Sequence, residues 1–138
     1  GGTYGIGRAT AEAFAKEGAR VTIAGRSREA GMETVTAIVA GGGEAHYIHT
    51  DVTNASSVAA AVDETVEQYG RLDCAFNNAG WEGTMQRTGD IEETDWDRMI
   101  AVKLKGVVHF IHDLNFRVAH PNRRLGGRRQ PDQPRHYK

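Results

Sequence analysis

Apolar and polar residues alternate over the first 112 or so positions in a pattern that predicts helices and strands in turn. Strands that alternate with helices at this spacing indicate right-handed βαβ units around a parallel sheet, so the predicted fold class is α/β. The predicted helices are Gly5 to Lys16, a segment capped by Ser27 that ends near Val39, Ser56 to Tyr69, and Asp95 to about His112; the predicted strands are Arg20 to Ala24, Ala45 to His49 and Leu72 to Phe76.

Polar residues and glycines mark the ends of these helices. Thr53 or Asn54 is expected to cap the third helix and Thr94 the fourth, while Gly18 and the glycines at 41–43 end the first two. The residues expected on the core side of the fourth helix are Trp96, Ile100, Leu104, Val107, Val108 and Ile111.

Length and composition narrow the class of protein. The 138 residues make one domain at most, and 39% hydrophobic residues suffice for a globular core. No run approaches the roughly 18 apolar residues of a membrane-spanning helix, and no signal peptide is visible. The single Cys74, expected to be buried in the third strand, excludes an internal disulfide. We therefore expect a cytoplasmic protein that has no membrane partner.

Charge divides the chain into two parts. The stretch from Leu114 to Lys138 holds seven basic residues, one acid and all three prolines, whereas the rest carries 10 basic and 17 acidic residues. We therefore predict a partial domain over residues 1–113 and a disordered basic tail over residues 114–138. The tail lacks aromatic residues interleaved with its basic ones, so we expect no nucleic-acid partner.

A glycine-rich loop with the sequence Gly1-Gly2-Thr3-Tyr4-Gly5-Ile6-Gly7 opens the first predicted helix. Glycines let a backbone approach a pyrophosphate closely, and a helix N-terminus offers unpaired N–H groups and a favourable dipole. Taken alone, the loop is weak support for nucleotide binding, because glycines also serve turns. The chain opens inside this motif and without Met, so we expect its natural N-terminus to lie upstream.

Three further segments follow the loop in order. Thr50-Asp51-Val52 follows the second predicted strand, Leu72-Asp73 leads into Asn77-Asn78-Ala79-Gly80, and Trp96-Asp97-Arg98 precedes Val102-Lys103-Leu104-Lys105-Gly106. With the Gly-x-x-x-Gly-x-Gly spacing of the loop, they resemble the classical short-chain dehydrogenase/reductase family over its N-terminal cofactor-binding part. The resemblance implies a Rossmann-type doubly wound parallel sheet, here incomplete. The family's first strand and everything after the long helix are missing.

The resemblance also implies how a nicotinamide dinucleotide binds. Where NAD-preferring members usually place an acid, this chain has Arg26 followed by Ser27 and Arg28. A guanidinium there can hold a 2′-phosphate, so NADP is favoured and NAD remains possible. The residues expected to bind the cofactor are Gly1, Thr3, Tyr4, Gly5, Ile6, Gly7, Arg26, Asp51, Val52, Asn78, Ala79 and Gly80.

Structural interpretations of the same residues stay open. Arg26 and Arg28 could instead be solvent-exposed residues at the start of a helix, and Asp51 could simply lie next to a helix-capping residue. Asn77 and Asn78 also suit the end of a strand, because Asn tolerates turn geometry. Trp81 either lines a substrate mouth or covers the end of the sheet, whereas Trp96 is expected in the core.

The catalytic residues of the family have no counterpart in this sequence. The family uses a Tyr as acid/base, a Lys four residues later and a Ser that orients the substrate oxygen. No Tyr-x-x-x-Lys occurs here, and the family's helix Asn aligns with Lys103. We therefore assign no catalytic residue. His109 and His112 lie three positions apart on a predicted helix, a spacing that metal sites use. We assign them no acidic or thiol partner nearby, so we expect no metal site.

A reading-frame slip offers an explanation of the tail. Arg128 to Lys138 can be encoded by bases that, read one nucleotide later, give Val-Val-Asn-Gln-Thr-Ser-Pro-Ala-Ile-Thr. That sequence resembles the family's fifth strand and catalytic-Ser segment, although codon degeneracy leaves choices at most positions. We hypothesise a slip between about His109 and Arg128, either in the sequence record or in the gene. Sequencing the source DNA from the codon of Lys103 onward tests it.

Three functions remain open at this point. The favoured one is a fragment of an NAD(P)-dependent oxidoreductase whose complete form transfers hydride between the nicotinamide and a carbonyl or alcohol. The alternatives are a non-catalytic nucleotide-binding module and an interaction protein that uses the basic tail. Family members often form homo-oligomers through helices partly missing here, which puts assembly of this chain in doubt.

The missing strand also affects folding. In the family the first strand lies centrally in the sheet, so its absence is expected to split the sheet and leave strand edges unpaired. We therefore expect the chain to fold poorly alone. A cooperative thermal transition with native-like near-UV circular dichroism contradicts this expectation.

Overall fold

The computed structural model describes residues 1–119. The part of the predicted tail from residue 120 onward lies outside the described residues, and the frame slip, placed between about His109 and Arg128, stays a prediction. Five α-helices, a 3₁₀ turn at Thr88–Asp90 and a π-helical segment accompany two strands in this part of the chain. The helices are α1 (Gly5–Lys16), α2 (Arg28–Ala40), α3 (Ala55–Tyr69), α4 (Glu93–Ile100) and α5 (Gly106–Ala119), the π segment is Ala101–Lys105, and the strands are β1 (Arg20–Gly25) and β2 (Glu44–His49).

Local sequence explains most of these boundaries. The Ser27 side chain accepts a hydrogen bond from a backbone N–H in the first turn of α2, and Asn54 does the same for α3. Each such cap stabilises its helix by about 1 kcal/mol. Gly18 follows α1 at a φ of +84°, which an L side chain rarely adopts. The predicted limits of α1, α2 and α3 and of both strands are confirmed to within a residue or two.

The two strands form a parallel sheet with helices on both faces. Arg20 pairs with Glu44 at one end of the ladder, and Gly25 pairs with His49 at the other. α1 and α2 pack on one face, where the buried Ile23 meets Ala11, Ala15 and Ile38. α3 packs on the opposite face, where the Thr65 hydroxyl donates to Thr22 Oγ1 at 3.1 Å, because successive strand residues point to opposite faces.

The prediction of a third strand at Leu72 to Phe76 is wrong for this structure. The segment has no regular secondary structure, and Cys74 is exposed instead of buried in a strand. A strand needs a neighbouring backbone to satisfy its N–H and C=O groups. Among residues 1–119 the only sheet is the two-stranded one, so the segment has no ladder to join. Of the expected consequences, the unpaired strand edge is present, because β1 pairs on one edge only among these residues.

The long helix also departs from its prediction. α4 begins at Glu93 after Glu92, so Thr94 lies inside the helix and does not cap it. α4 and α5 are joined by the π-helical segment, and α5 runs through the predicted domain boundary at residue 113 without a break. That boundary stays a prediction.

The predicted core side of this helix is only partly covered. Trp96, Leu104, Val108 and Ile111 are at least half exposed. The prediction that they are core residues is wrong here, because α5 packs on α3 through Phe110 and Phe116 and nothing in residues 1–119 covers the other side.

His46 lies between the sheet and α3. Its Nδ1 is 3.0 Å from the Tyr69 hydroxyl oxygen and 3.5 Å from Thr22 Oγ1. Its Nε2 is buried and has no hydrogen-bond partner within residues 1–119. Burial lowers the pKa of His46, and the negative charges of Glu64 and Glu44 partly offset that effect.

The stability of the chain is therefore expected to fall as the pH drops below about 6.5. The unfolded chain takes up a proton at the ordinary pKa of histidine, whereas folded His46 takes it up only at lower pH. Its contribution is thus complete above the unfolded pKa and is lost as the pH falls through the folded one. Urea unfolding at about pH 7.5 and about pH 5.5 measures the change. His46→Gln, which does not titrate, is expected to reduce it; an unchanged pH dependence would assign it to other groups.

Candidate functional site

The glycine-rich loop, Gly1–Gly7, lies beside the end of β1. The Gly1 nitrogen donates to the Ala24 carbonyl oxygen at 2.6 Å, and the Gly2 N–H donates to the same oxygen at 3.3 Å. Thr3 is buried, and its methyl group would be 2.9 Å from a Cβ placed on Gly25. The loop therefore starts at the carboxyl edge of the sheet, which is where open α/β sheets bind their ligands.

The Asn-Asn-Ala-Gly segment, residues 77–80, closes against the loop. The Asn78 side-chain amide donates to the Gly1 carbonyl oxygen at 2.8 Å across 77 positions of the chain. A Cβ on Gly1 would lie 2.5 Å from the Ala79 backbone nitrogen, and a Cβ on Gly7 would lie 1.9 Å from the Gly1 oxygen. The protein's own backbone therefore requires glycine at positions 1 and 7, a reason that the sequence alone did not reveal.

The first turn of α1 is open at the same place. Tyr4 precedes the helix in an extended conformation, and its side chain makes no capping hydrogen bond. The first backbone N–H groups of a helix have no carbonyl partner within it, so they are free to bind an anion. Gly5 has a φ of +51° and no atom within 4 Å of a Cβ position, and Tyr4 and Ile6 are 65% and 72% exposed.

Asp51 and Arg26 occupy the ends of the two strands. Asp51 Oδ1 accepts hydrogen bonds from the Thr53 backbone N–H at 2.9 Å and the Thr53 hydroxyl at 2.8 Å. These bonds lower the pKa of Asp51, burial opposes them, and the charges of Arg26 and His49 add to the lowering. The carboxylate therefore stays charged at neutral pH, with the exposed Arg26 guanidinium within electrostatic reach.

Both interpretations of Asp51 remain compatible with this geometry. Its hydrogen bonds to Thr53 fix the turn before α3, as expected of a neighbour of a helix cap. The residue that caps the helix is Asn54. Val52 packs against Gly106, where a Cβ would lie 3.0 Å from the valine side chain, so Val52 links this turn to α5.

A second group of side chains lies on the other side of the Asn-Asn-Ala-Gly segment. The Arg98 guanidinium carbon is 4.4 Å from the centre of the Trp81 ring, a cation–π contact. Lys103 Cε lies 3.8 Å from the Cβ position of Gly80. Lys103 belongs to the π-helical segment, and such segments occur frequently at functional sites. The sequence predicted one continuous helix here and gave no signal for the π segment or for the Arg98 contact.

The sequence predicts neither a metal site nor a membrane partner, and the observations that bear on these two predictions cover residues 1–119. Among residues 1–119 no three His, Cys, Asp or Glu side chains are grouped so that they could hold a metal ion. His112 Nδ1 lies 2.9 Å from Asp113 Oδ1. No helix in the described part of the chain combines the length and the apolar character that crossing a bilayer requires.

Comparison with known proteins agrees with this geometry. A family model described as short chain dehydrogenase matches residues 1–117. The chain belongs to the short-chain dehydrogenase family. The resemblance of the four sequence segments is thus confirmed, and so is the incomplete Rossmann-type α/β fold.

Two relatives show how far the similarity extends. A 3beta-hydroxysteroid dehydrogenase of Mediterraneibacter gnavus is 42% identical over 104 residues, which cover 75% of this chain and 38% of the relative. Momilactone A synthase of Oryza sativa subsp. japonica is 44% identical over 107 residues, or 77% of this chain and 38% of the relative. The chain thus spans about two fifths of the length of these relatives.

Solved structures of short-chain dehydrogenases share the fold. A metagenomic short-chain oxidoreductase in complex with NADP has a TM-score of 0.81 and 31% identity, covering 86% of this chain and 54% of that one. A 3-ketoacyl-ACP reductase from Sinorhizobium meliloti 1021 has a TM-score of 0.77 and 38% identity, covering 81% and 44%.

Proposed function

We propose that this chain is the cofactor-binding part of an NADP(H)-dependent short-chain oxidoreductase. In its complete form the enzyme transfers hydride between the nicotinamide and a carbonyl or alcohol substrate. The observation that carries the proposal is the meeting of three segments at one edge of the sheet. These are the open first turn of α1, the strand ends at Arg26 and Asp51, and the Asn-Asn-Ala-Gly segment held to Gly1 by Asn78.

Each segment suits one part of a dinucleotide. The open N–H groups of Gly5, Ile6 and Gly7 suit the pyrophosphate, with Gly1, Thr3 and Tyr4 forming the loop around it. Asp51 and Val52 suit the adenine, as the family resemblance implies. Asn78, Ala79 and Gly80 complete the cofactor site, as the family resemblance implies. The space around Gly5 fits this assignment, because no atom other than those of its chain neighbours and of the adjacent backbone of α1 lies within 4 Å of its Cβ position.

The preference for NADP rests on Arg26. No acid occurs from Gly25 to Arg28, and the Arg26 guanidinium is exposed at the end of β1. A guanidinium binds a phosphate through paired, charge-assisted hydrogen bonds, whereas the 2′-hydroxyl of NAD offers it no charge. A structural relative that contains NADP shares the fold over most of this chain.

Catalysis itself is not assigned to these 138 residues. When bound, the nicotinamide supplies the hydride, but the family's Ser and its Tyr-x-x-x-Lys pair have no counterpart in the sequence. We therefore expect saturable NADPH binding without oxidoreductase activity from this chain. The alternative, a non-catalytic nucleotide-binding module, gives the same expectation for this chain. The two alternatives differ only in whether the complete protein has oxidoreductase activity.

Location and partners belong to the same proposal. A single cysteine, here exposed, suits a reducing compartment, so we propose the cytoplasm. The partners are the nicotinamide dinucleotide and, for the complete enzyme, a small carbonyl or alcohol substrate. Homo-oligomerisation is expected for the family and is in doubt for this chain.

Arg26→Glu is expected to weaken NADPH binding by about tenfold or more, because a charge-assisted hydrogen bond contributes about 1.5–3 kcal/mol. NADH binding should be kept or strengthened, since its ribose carries no 2′-phosphate and NAD-preferring members of the family usually place an acid here. Titration calorimetry with each dinucleotide measures both affinities. Lys16→Glu makes the same change of charge at the far end of α1 and should leave both affinities unchanged. Equal losses for NADPH and NADH in Arg26→Glu would contradict the assignment of Arg26 to the 2′-phosphate.

A further inference from the structure

Tyr47 connects three elements at the end of β1 that leads to Arg26. It belongs to β2, and its hydroxyl donates a hydrogen bond to the Gly25 carbonyl oxygen at 2.7 Å. Its ring packs against α2 at Gly31, where a Cβ would lie 2.1 Å from Tyr47 Cδ2. Glycine at position 31 therefore makes room for the ring, and the ring in turn brings the hydroxyl to the end of β1.

The Gly25 carbonyl belongs to the peptide group that joins Gly25 to Arg26. It accepts the Tyr47 hydroxyl at 2.7 Å and the Thr50 backbone N–H at 2.9 Å, so both of its lone pairs are used. Because a peptide group is planar, an oxygen held from two directions also fixes the direction in which the chain enters Arg26. Tyr47 thus orients the backbone from which the Arg26 guanidinium extends.

Position 25 is one where the chain would otherwise be free to turn. A Cβ on Gly25 would lie 2.9 Å from the methyl group of the buried Thr3, so the glycine-rich loop favours glycine there. Glycine has no side chain to restrict its φ and ψ angles, and several orientations of the following residue are therefore accessible to it. The hydrogen bond from Tyr47 removes part of that freedom at the residue directly before Arg26.

The Tyr47 hydroxyl is suited to act as the donor. Burial raises the pKa of Tyr47 above its ordinary value, and the positive charge of Arg28 offsets only part of that effect. The phenol therefore keeps its proton at neutral pH and remains a donor for the Gly25 oxygen.

We propose that Tyr47 is a positioning residue for the selection of NADP over NAD and acts through Arg26. The inference rests on the proposed function, in which the Arg26 guanidinium holds the 2′-phosphate. Paired hydrogen bonds from a guanidinium to a phosphate require a defined geometry, so a guanidinium on a freely turning backbone binds the phosphate less tightly. The 2′-hydroxyl of NAD forms no such charged pair, so NAD binding does not depend on the orientation that Tyr47 imposes.

Tyr47→Phe removes the hydroxyl and keeps the ring against Gly31. Titration calorimetry of the full chain is expected to show NADPH binding weakened about two- to tenfold, the range that one neutral hydrogen bond accounts for, with NADH binding unchanged. Tyr69→Phe is the matched control, because the Tyr69 hydroxyl bonds His46 on the other face of the sheet, and it should leave both affinities unchanged. Equal losses for the two dinucleotides in Tyr47→Phe, or no loss for NADPH, overturn the proposal.

A double-mutant cycle shows whether Tyr47 acts through Arg26. In a chain that carries Arg26→Gln, Tyr47→Phe is expected to cause no further loss of NADPH affinity, because the guanidinium that it would orient is absent. The same loss in both backgrounds overturns the proposed route. If Arg26→Gln leaves NADPH binding unchanged, the assignment of Arg26 in the proposed function fails, and this inference fails with it. If Arg26→Gln weakens NADPH binding and Tyr47→Phe does not, only the positioning role is overturned.

Gly31→Ala tests the same route without altering Tyr47. The added Cβ would overlap the Tyr47 ring, so the ring must move and carry its hydroxyl away from the Gly25 oxygen. The NADPH affinity relative to that of NADH is expected to fall by about as much as in Tyr47→Phe. Gly89→Ala, which adds its Cβ in open space, is the control and should keep the ratio. An unchanged ratio in a Gly31→Ala chain that circular dichroism shows to be folded overturns the proposal.

Discussion

Replacing Gly7 by alanine is expected to lower the free energy of unfolding by about 1–3 kcal/mol and to abolish measurable NADPH binding. The added Cβ would lie 1.9 Å from the Gly1 carbonyl oxygen and 2.7 Å from the Asn78 amide nitrogen. One of these atoms belongs to the backbone, so a rotamer change cannot relieve the contact. Either the loop or α1 must move, and the hydrogen bond between Asn78 and Gly1 is lost with it. Urea unfolding and NADPH titration measure the two effects.

Gly18→Ala is the matched control for this prediction. Gly18 has a φ of +84° and open space around its Cβ position, so alanine there strains the backbone without a clash. The strain costs about 1–2 kcal/mol at the opposite end of α1, and NADPH binding by the folded fraction should be unchanged. If Gly7→Ala binds NADPH like the unsubstituted chain, the close approach seen at Gly1 does not form in solution.

Asp63→Ala is expected to destabilise the chain by about 3–5 kcal/mol, the usual effect of leaving one charge of a buried pair without its partner. The Arg117 guanidinium donates to Asp63 Oδ1 and joins α5 to α3 across 54 positions of the sequence. The two side chains are only 9% and 14% exposed. Urea unfolding in sucrose measures the change, because sucrose is excluded from protein surfaces and favours the folded state.

Two further variants show whether burial explains that loss. Asp73→Ala removes the carboxylate of an exposed pair with Arg71 and is expected to cost under about 1 kcal/mol. Combining Asp63→Ala with Arg117→Met removes both charges and should recover much of the stability, since apolar residues often replace a buried pair without loss. A double variant as unstable as the single one would assign the effect to packing at Asp63.

The candidate site shows where reasoning from sequence succeeded and where it stopped. The sequence predicted that Gly1, Gly7, Asn78 and Ala79 belong to one site, and the structure brings them into contact. It attributed both glycines to the close approach of a pyrophosphate, whereas the chain's own backbone already requires them. At Gly1 the requirement comes from the Ala79 backbone, more than 70 positions away, and at Gly7 it comes from the Gly1 carbonyl oxygen in the folded loop. No local sequence pattern reports either contact.

The long helix shows the same limit in its packing. The periodicity predicted a helix correctly, but a period tells only which residues share a side and not whether another element covers that side. Here Phe110 and Phe116 pack on α3, while Leu104, Val108 and Ile111 stay half exposed or more. The contact between Trp81 and Arg98 likewise joins two segments that are distant in sequence.

The sequence by itself determined most of the elements, the parallel α/β class and the family. Local signals encode these features: the capping side chains of Ser27 and Asn54, the glycines that end helices, and four motifs in a fixed order. Tertiary structure alone decided whether a strand-forming segment becomes a strand. Leu72 to Phe76 has the right residues, but within residues 1–119 its N–H and C=O groups join no sheet. Strand formation is a pairing between distant parts of a chain, so a segment's own sequence cannot guarantee it.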